Sequence, residues 1–560
     1  MLPIFVGVTG HRVMSNASVS FAQDAVRREL RNLRRRFPAT PLILVSALAE
    51  GADRLVAKAA LECGLALWAV LPTSIDEYAR DFQSDASKAE FHELLGQASR
   101  SVNAALQAGR GEHSAQRPEI YVDVAHEICR MSHLLIALWD GGTDEKPGGT
   151  SQVLRFFRTG DFPDANPSGI GYPDCGPVLH IAVSRDESVL AVEAVQWLAP
   201  CPGVIHKPLL PGRMVGGREH FERCAASLDA FNARCSRVTA DTHQAARQLL
   251  PAGFAWQGDA LIFQWISWFC QAEAVSNVAS VFRRRNLILI VLFFVLFSLS
   301  TLAYGGLVME AWPLLLGALT LAAALASYGA HRLNDIEEAW VGGRAVAESL
   351  RVAIIWRITG CQKAVHHVAS EEGIFPFDWI GMALRAIDAG RNAEGVSLDT
   401  PSDARASVLG FWCESQQDYF VDGSNKIAHH DRRARRYARA SGACVIMAML
   451  VYLLTMLIDL HFPGEDRSDA LSVTVWTMYM YWTLLSLGAV VASYSQIIGH
   501  ADHEADYRFA LVKFRMADQL LKKSTANVCP ELVVNLGQAA LRETISWLKL
   551  HRGRPLRLLF

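Results

Sequence analysis

The chain of 560 residues is too long for one hydrophobic core, so we expect two to four structural units. Its formal net charge of −2 gives no basis for binding a nucleic acid polymer, and 51% hydrophobic residues is high for a soluble protein. The 11 cysteines show no CxxC or paired spacing, which indicates a reducing compartment and neither a disulfide framework nor a metal site.

The N-terminal part of the chain alternates short apolar runs with helical patterns, as a parallel sheet requires. Strands are predicted at Ile4–Val8, Leu42–Val45, Leu67–Val70, Leu134–Leu138 and Val178–Val183, with Val204–Ile205 as a further candidate. Helices are predicted near Phe21–Phe37, Asp53–Cys63, Ser87–Leu106, Val122–Met131 and Ser151–Phe157. The first residues lack the charged region of a signal peptide, so we expect this α/β domain on the cytosolic side.

Small residues, glycines and charged groups follow four of the predicted strands. Ligands of doubly wound sheets bind outside the carboxyl ends of the strands, so these loops supply the candidate ligand-binding residues. They are Thr9, Gly10, His11 and Arg12 after the first strand, Ser46, Ala47, Glu50, Gly51, Ala52 and Asp53 after the second, Pro72 and Thr73 after the third, and Trp139, Asp140, Gly141, Gly148, Gly149 and Thr150 after the fourth.

The chemistry of these loops favours a phosphate-bearing ligand. Free amides at a helix N-terminus, with glycines that allow close approach, form a phosphate cradle. Arg12 could add a bidentate phosphate contact, and Asp140 or Glu50 could accept hydrogen bonds from ribose hydroxyls. His11 is either a ligand-binding residue or a cap on the backbone. The sequence therefore predicts a nucleotide or nucleotide-derived ligand, with no other cofactor and no assigned catalytic residue.

Four apolar runs reach the length of about 20 residues that crosses a bilayer. They are Leu287–Leu307, Trp312–Ala330, Ala440–Leu460 and Leu471–Ile498. The loop within each pair is short, so the runs predict two helical hairpins. Arg283, Arg284, Arg285, Arg332 and five arginines within 432–439 lie on the same side of the spans, which places both termini and the central segment in the cytosol. The alternative is a pair of buried hairpins in a soluble protein.

The two hairpins resemble copies of one unit. A helix with Trp268 and Gln271 precedes the first hairpin, and a helix with Trp412 and Gln416 precedes the second. A long amphipathic helix follows each hairpin. The sequence thus predicts a duplicated, pseudosymmetric helical bundle.

The loops at residues 9–12, 46–53, 134–141 and 148–150 resemble the SLOG superfamily of Rossmann-like domains over about the first 210 residues. The membrane half is similar to the SLATT family of two-helix membrane modules of bacterial defence loci. Trp340, Arg344, Glu348 and Arg351 lie where such modules place a motif in the helix after the hairpin. The resemblance implies a nucleotide sensor joined to a membrane effector, a homo-oligomer in the bacterial inner membrane.

The sequence departs from one branch of the SLOG superfamily, the LOG enzymes. Those enzymes follow their GGxGT-type loop with a glutamate that supports N-glycosidic hydrolysis. Here Gly148-Gly149-Thr150 leads into Ser151-Gln152-Val153-Leu154, which offers no carboxylate on the first turn. The resemblance therefore implies a domain that binds its ligand without hydrolysing it.

The sequence predicts an α/β Rossmann-like domain followed by an all-α membrane region with four transmembrane helices. Its parts are a nucleotide-binding domain at 1–210, a helical linker at 211–282, the first hairpin with its cytosolic helix at 283–360, a cytosolic helical segment at 361–431, and the second hairpin with a C-terminal cytosolic helix at 432–560. The leading hypothesis is a nucleotide-triggered effector that disrupts the membrane or opens a pore in anti-phage defence. Two alternatives stay open. One is a membrane-anchored nucleotide or NAD hydrolase using Glu50, Asp53 or Asp140, and the other is a scaffold without a ligand.

Overall fold

The structure, a computed structural model, describes residues 1–104, 117–143, 146–160, 175–187, 194–201, 217–306, 311–361, 363–372, 378–393, 400–461, 478, 481, 485, 500–523 and 529–553. The chain divides into two compact units. Unit 1 comprises Met1–Ala274, Ala345–Leu409 and Ala526–Ile545. Unit 2 comprises Val275–Arg344, Gly410–Thr525 and Ser546–Phe560.

Unit 1 contains the predicted α/β sheet. Its described strands are β1 (Ile4–Gly10), β2 (Leu42–Ser46), β3 (Ala66–Leu71), β4 (Arg100–Asn103), β5 (Leu134–Trp139), β6 (Val178–Ala182) and β7 (Val195–Leu198), in the order β4-β3-β2-β1-β5-β6-β7. Neighbouring strands are parallel except for β7, which is antiparallel to β6. The five strands predicted from apolar runs are confirmed, and the candidate at 204–205 lies outside the described residues.

Helices alternate with the strands along the sheet. They are α1 (Asn16–Arg36), α2 (Ala52–Glu62), α3 (Ile75–Ala79), α4 (Asp85–Gln97), α5 (Arg117–Met131) and α6 (Thr150–Thr159). The helix α1 begins five residues before the predicted start, because the Ser15 side chain caps it by accepting a hydrogen bond from the Ser18 amide.

The edge strand β4 corrects one prediction. The predicted helix Ser87–Leu106 is wrong in its second half, since α4 ends at Gln97 and the chain then pairs in parallel with β3. Only Val102 of this strand is buried, so it lacks the apolar run that marks the other strands.

The remaining helices follow the sheet. They are α7 (Arg218–Cys235), α8 (Thr242–Leu249), α9 (Ala260–Gly306), α10 (Trp312–Leu333), α11 (Ile336–Thr359), α12 (Val365–Glu371), α13 (Trp379–Ala393), α14 (Ser402–His461), α15 (His500–Lys523) and α16 (Pro530–Gly553), with a 3-10 turn at Trp256–Gly258 before α9.

One helix of the sheet domain comes from far along the chain. Ala386 and Ala389 of α13 belong to the same buried apolar cluster as Phe5 of β1 and Phe156 of α6. The α13 backbone and side chains also bond to the turn before β5, where Arg385 Nη1 donates to the Ser132 carbonyl at 2.8 Å. The helix α13 therefore covers part of the sheet that the N-terminal residues alone would leave open to water.

In unit 2, α9 lies antiparallel to the segment formed by α10 and α11. The Ser276 hydroxyl donates to the Trp340 carbonyl at 2.9 Å, and Arg283 Nε lies 2.9 Å from Glu337 Oε1. Near the other end, a Cβ added at Gly317 would lie 2.7 Å from Ser300 Oγ. Residue numbers rise on one helix as they fall on the other, so these helices form a hairpin whose close approach depends on small residues.

A second antiparallel pair in unit 2 is formed by α14 and α15. The ring centroids of Trp412 and Phe514 are 5.2 Å apart, and those of Phe420 and Tyr507 are 5.4 Å apart. In both pairs a helix that precedes a predicted hairpin packs on a helix that follows it. The duplication of one hairpin unit stays a prediction.

Among the described residues, one helical stretch, Trp312–Thr359, is long and apolar enough to cross a membrane by length and composition. Its most apolar 18-residue window has a mean hydropathy of 1.6. The predicted span Leu287–Leu307 lies within α9 up to residue 306. The predicted span Ala440–Leu460 lies within α14, whose apolar stretch Gly442–Leu457 is shorter than a span, and most of Leu471–Ile498 lies outside the described residues. Four spans in two hairpins stay a prediction.

Candidate functional site

The carboxyl ends of β1 and β5 are adjacent, at the point where the strand order reverses. Strands β2, β3 and β4 follow on one side of β1, and β5, β6 and β7 follow on the other. In doubly wound sheets the connections leave such a point in opposite directions and open a ligand-binding crevice. Because β1 ends at Gly10 and β5 at Trp139, this crevice brings His11 and Asp140 together.

Asp140 is held by three groups. His11 Nε2 lies 2.9 Å from its Oδ1, Arg185 Nε lies 2.7 Å from its Oδ2, and the Gly142 amide donates to Oδ1 at 2.9 Å. Partial burial raises the pKa of Asp140, but the hydrogen bond from the Gly142 amide, the interaction with His11 and the charge of Arg185 outweigh it and hold the pKa below its ordinary value. Asp140 is therefore a carboxylate at neutral pH and can accept a hydrogen bond from a ligand hydroxyl.

The loops after β1 and β2 are in direct contact. The Ala52 amide donates to the His11 carbonyl at 3.0 Å. Gly51 has φ of +81°, and a Cβ there would lie 2.2 Å from the Arg12 carbonyl oxygen. Glycine is required at this position because both the backbone conformation and the approach of Arg12 exclude a side chain.

Two helices present N-termini without side-chain caps near these loops. The helix α2 begins after Gly51, and α6 begins after Gly149, and neither N-cap residue makes a side-chain hydrogen bond. Gly148 has φ of +68°, and its amide donates to the Gln152 side chain at 2.7 Å. Helix N-termini carry backbone amides and a partial positive charge, so both ends are suited to an anionic group.

Arg12 lies over the ring of Tyr121, which belongs to α5. The guanidinium carbon is 5.8 Å from the ring centroid, and the Tyr121 hydroxyl donates to the carboxylate of Asp81. Burial raises the pKa of Tyr121, and the hydrogen bond to Asp81 raises it further. A Cβ at Gly148 would lie 2.6 Å from Tyr121 Cβ, so this tyrosine connects the loop after β1 with the loop before α6.

Asp53 is buried in the first turn of α2. Burial raises its pKa to about 7, while backbone hydrogen bonds from Ala49 and Ala47 and the charge of Arg12 act in the opposite direction. A carboxyl group with this pKa gains or loses a proton near neutrality.

Other predicted residues hold the loops in shape. Ser46 Oγ accepts a hydrogen bond from the Leu48 amide at 3.1 Å, which supports the positive φ of 55° at Leu48. Glu50 accepts a hydrogen bond from Ser87 Oγ. Thr9, Pro72 and Thr73 are buried, Gly10, Ala47, Trp139 and Thr150 are half-buried, and Gly141 is exposed.

Sequence reasoning missed Tyr121, Asp81 and Arg185. Tyr121 and Asp81 lie outside the glycine-rich loops, and Arg185 follows β6, a strand whose end carries no glycine turn. The signal that could have indicated Arg185 is its position after a strand next to β5. Within the ranges that the structure describes, no group of three or more His, Cys, Asp or Glu side chains is arranged to hold a metal ion.

Comparisons with known proteins add little to this geometry. No family model matches the chain, and no curated protein matches it. One solved structure that aligns with it is the X-ray structure of DNA processing protein A (DprA) from Streptococcus pneumoniae, at 22% identity and a TM-score of 0.17. The alignment covers 24% of this chain and 41% of that chain, so this chain spans less than half of the DprA chain. Such a low TM-score carries no argument about function.

Proposed function

We propose that the crevice between β1 and β5 binds a nucleotide or a nucleotide-derived ligand. The observation that carries this proposal is the presence of two helix N-termini without side-chain caps, at Gly51 and Gly149, beside Arg12 and Asp140. Phosphate oxygens would accept hydrogen bonds from the helix amides and from Arg12, and ribose hydroxyls would donate to Asp140. A nucleotide carries both phosphate and ribose, so it is the class of ligand that would use both the helix amides with Arg12 and the carboxylate of Asp140.

The proposed role of this crevice is binding, without hydrolysis of the ligand. The first turn of α6 contains no acidic residue, and Glu50 is already engaged by Ser87. N-glycosidic hydrolysis needs a carboxylate that stabilises the developing positive charge on the sugar or activates water. A binding site without a carboxylate on the first turn of α6, where the LOG enzymes place theirs, suits a sensor.

The sensor would act on helices inserted in a membrane. In the apolar window of Trp312–Thr359 only 22% is buried, whereas a core helix of a soluble protein is mostly buried. Leu315 and Leu319 of α10 are 65% and 68% exposed, and Ile288 of α9 is 59% exposed. Lipid would cover this apolar surface. The proposal therefore includes four spans in two hairpins, in a bacterial inner membrane with both termini in the cytosol, and a homo-oligomer, as the SLATT resemblance implies.

Ligand binding would shift the helical region from an inactive to an active state. The active state would disrupt the membrane or open a pore and so limit phage spread. Binding can drive this change only if the ligand binds the active state more tightly than the inactive state.

The test uses the full chain in liposomes loaded with a self-quenched dye, with AMP, NAD and ADP-ribose as ligands. We expect at least one nucleotide to raise the melting temperature and to release dye. Arg12→Ala and Gly149→Glu should lose both effects, whereas Arg27→Ala should keep both, because Arg27 pairs with Glu62 on the surface of α1 and α2. Binding without dye release or current would contradict the effector role, and the absence of any nucleotide effect would contradict the sensor role.

A second candidate function, nucleotide or NAD hydrolysis, is favoured by one observation. Asp53 lies near Arg12 with a pKa raised by burial to about 7, which suits a general acid or base. Product formation from NAD or AMP that is lost in Asp53→Asn and retained in Glu50→Gln would support this function over pure binding.

A further inference from the structure

The helix α5 begins at the crevice. Tyr121, in its first turns, packs against Gly148 of the loop before α6 and lies beneath the guanidinium of Arg12. Its hydroxyl donates to Asp81, in the segment that follows α3. A ligand that binds Arg12 and the N-terminus of α6 would therefore contact Tyr121 or displace the residues that pack against it.

The other end of α5 is bonded to α13. The helix ends at Met131, and the next two residues are buried beneath α13. The Ser132 carbonyl accepts a hydrogen bond from Arg385 Nη1 at 2.8 Å, and His133 Nε2 donates to the Met382 carbonyl at 2.9 Å. Arg385 is only 3% exposed, so displacing it would break a buried hydrogen bond between a cation and the Ser132 carbonyl, which is unfavourable.

The helix α5 is a short rigid connection between these two ends. It has 15 residues and is thus about 22 Å long. Its middle packs on the sheet through Val124, Ala125 and Ile128, which belong to the main apolar cluster of this unit. A packed helix of this kind moves as a whole, because interiors at native density do not deform continuously.

The position of α13 in the chain gives the connection its significance. Along the chain, α13 lies after the first antiparallel hairpin, from which α11 and α12 lead to it, and before α14, which contains the apolar stretch Gly442–Leu457. A shift of α13 would therefore act on the chain between the two predicted membrane hairpins.

We propose that Tyr121 is a ligand-contacting residue and that α5 transmits ligand binding from the crevice to α13. This inference rests on the proposed sensor function and specifies its regulation. A ligand that shifts Arg12 would shift Tyr121 and with it α5. The hydrogen bonds that Ser132 and His133 make to α13 would then move α13 together with α5. Arg385 acts as a positioning residue at the output end, with no contact to the ligand.

Hydrogen–deuterium exchange of the full chain in detergent tests the coupling without any ligand. Tyr121→Phe keeps the ring and removes the hydroxyl that bonds to Asp81 and Arg12, and we expect amide exchange in α13 to rise roughly threefold to tenfold. Arg385→Met should raise exchange by a similar factor at 117–121 and 148–150. Arg27→Met, on the other face of the same unit, should change neither region.

The proposal would be overturned if Tyr121→Phe changed amide exchange only within the first two turns of α5. Amide exchange in α13 would then be the same as in wild type. The exchange measurement on Tyr121→Phe tests the proposal even if Arg385→Met fails to fold, because this substitution removes a single hydroxyl group.

Inorganic pyrophosphate provides the ligand arm. In the wild-type chain it should slow exchange at both the loop before α6 and α13. In Arg385→Met it should still protect the loop but no longer α13, and in Tyr121→Ala it should protect neither. If pyrophosphate slowed exchange in both the loop and α13 of Arg385→Met, this result would contradict coupling through the Arg385–Ser132 hydrogen bond. Failure of pyrophosphate to protect the wild-type loop would contradict the proposed phosphate site, while the comparison of Tyr121→Phe with wild type would still decide the coupling.

Discussion

The imidazole of His133 is bonded to the backbone of Met382, 249 residues further along the chain, through Nε2 at 2.9 Å. Its other ring nitrogen, Nδ1, accepts a hydrogen bond from the Phe5 amide at 3.0 Å. One neutral tautomer, with the proton on Nε2, satisfies both bonds. His133 therefore joins the first strand of the sheet to α13 only while its ring is uncharged.

This bonding predicts an acid-sensitive fold. Burial, together with the nearby charge of Arg385, lowers the pKa of His133 to about 3. The unfolded chain binds a proton near pH 6.5 and the folded chain does not, so stability falls as pH drops from about 6.5 toward 3, by up to about 1.4 kcal/mol per pH unit. His133→Gln should flatten this dependence in calorimetry of the full chain, whereas exposed His92→Gln should retain it. An unchanged slope in His133→Gln would contradict the assignment.

Asp53 predicts a dependence of the opposite sign. Burial raises its pKa to about 7, so between about pH 4 and pH 7 the folded chain holds a proton that the unfolded chain has lost. The contribution of Asp53 to stability should therefore decrease as pH rises through this window, by up to about 1.4 kcal/mol per pH unit, and it opposes the contribution of His133 below about pH 6.5. Between pH 4.5 and 7.5 the melting temperature of Asp53→Asn should rise relative to that of wild type. Exposed Asp85→Asn is the control, and it should behave as wild type does.

Gly51 predicts a costly substitution at the crevice. In Gly51→Ala the new Cβ would meet the Arg12 carbonyl, and the residue would have to keep a φ of +81°. We expect a loss of about 1–3 kcal/mol in unfolding free energy and weaker nucleotide binding. Gly96→Ala is the matched control, since nothing lies within 4 Å of its Cβ and α4 gains helix propensity. Equal stability of the two variants in urea unfolding would show that the loop adopts another conformation.

The hairpin of unit 2 predicts a disulfide. A Cβ at Gly317 would lie 3.8 Å from Ser300 Cβ, which matches the typical separation of about 3.8 Å in disulfides. Ser300→Cys combined with Gly317→Cys should therefore cross-link under mild oxidation, detected by mass spectrometry of the linked peptides. Leu299→Cys with Gly317→Cys is the control, because Leu299 is 49% exposed. Preferential linkage of the control pair would mean that α9 and α10 pack through different faces.

Much of the sheet could be predicted because its central strands are buried on both faces and read as apolar runs. The edge strands β4 and β7 could not, since only Val102 of β4 is buried and β7 has no buried residue. The loops of the crevice could be predicted from glycines after strands. Tyr121 lies in an ordinary helical pattern, and only tertiary packing places it beside Arg12.

The packing of α13 against the sheet is a second feature that could not be predicted from sequence patterns. An amphipathic helix reveals that it has an apolar face, but not which surface covers that face. Ala386 and Ala389 are small residues that would fit many partners. Their partner is fixed by bonds such as that between Arg385 and Ser132, which join residues separated by 253 positions.

The position of α13 also fixes an order of events during synthesis. The ribosome completes the first helical hairpin, ending with α10 at Leu333, before it reaches Trp379–Ala393. Until then the sheet surface around Phe5 lacks the cover that Ala386 and Ala389 provide. Domains otherwise tend to fold from the N-terminus as they emerge. In this chain the sheet is fully covered only after a helix encoded downstream has been synthesised, so the hairpin that is proposed to enter a membrane is complete before the domain that is proposed to control it.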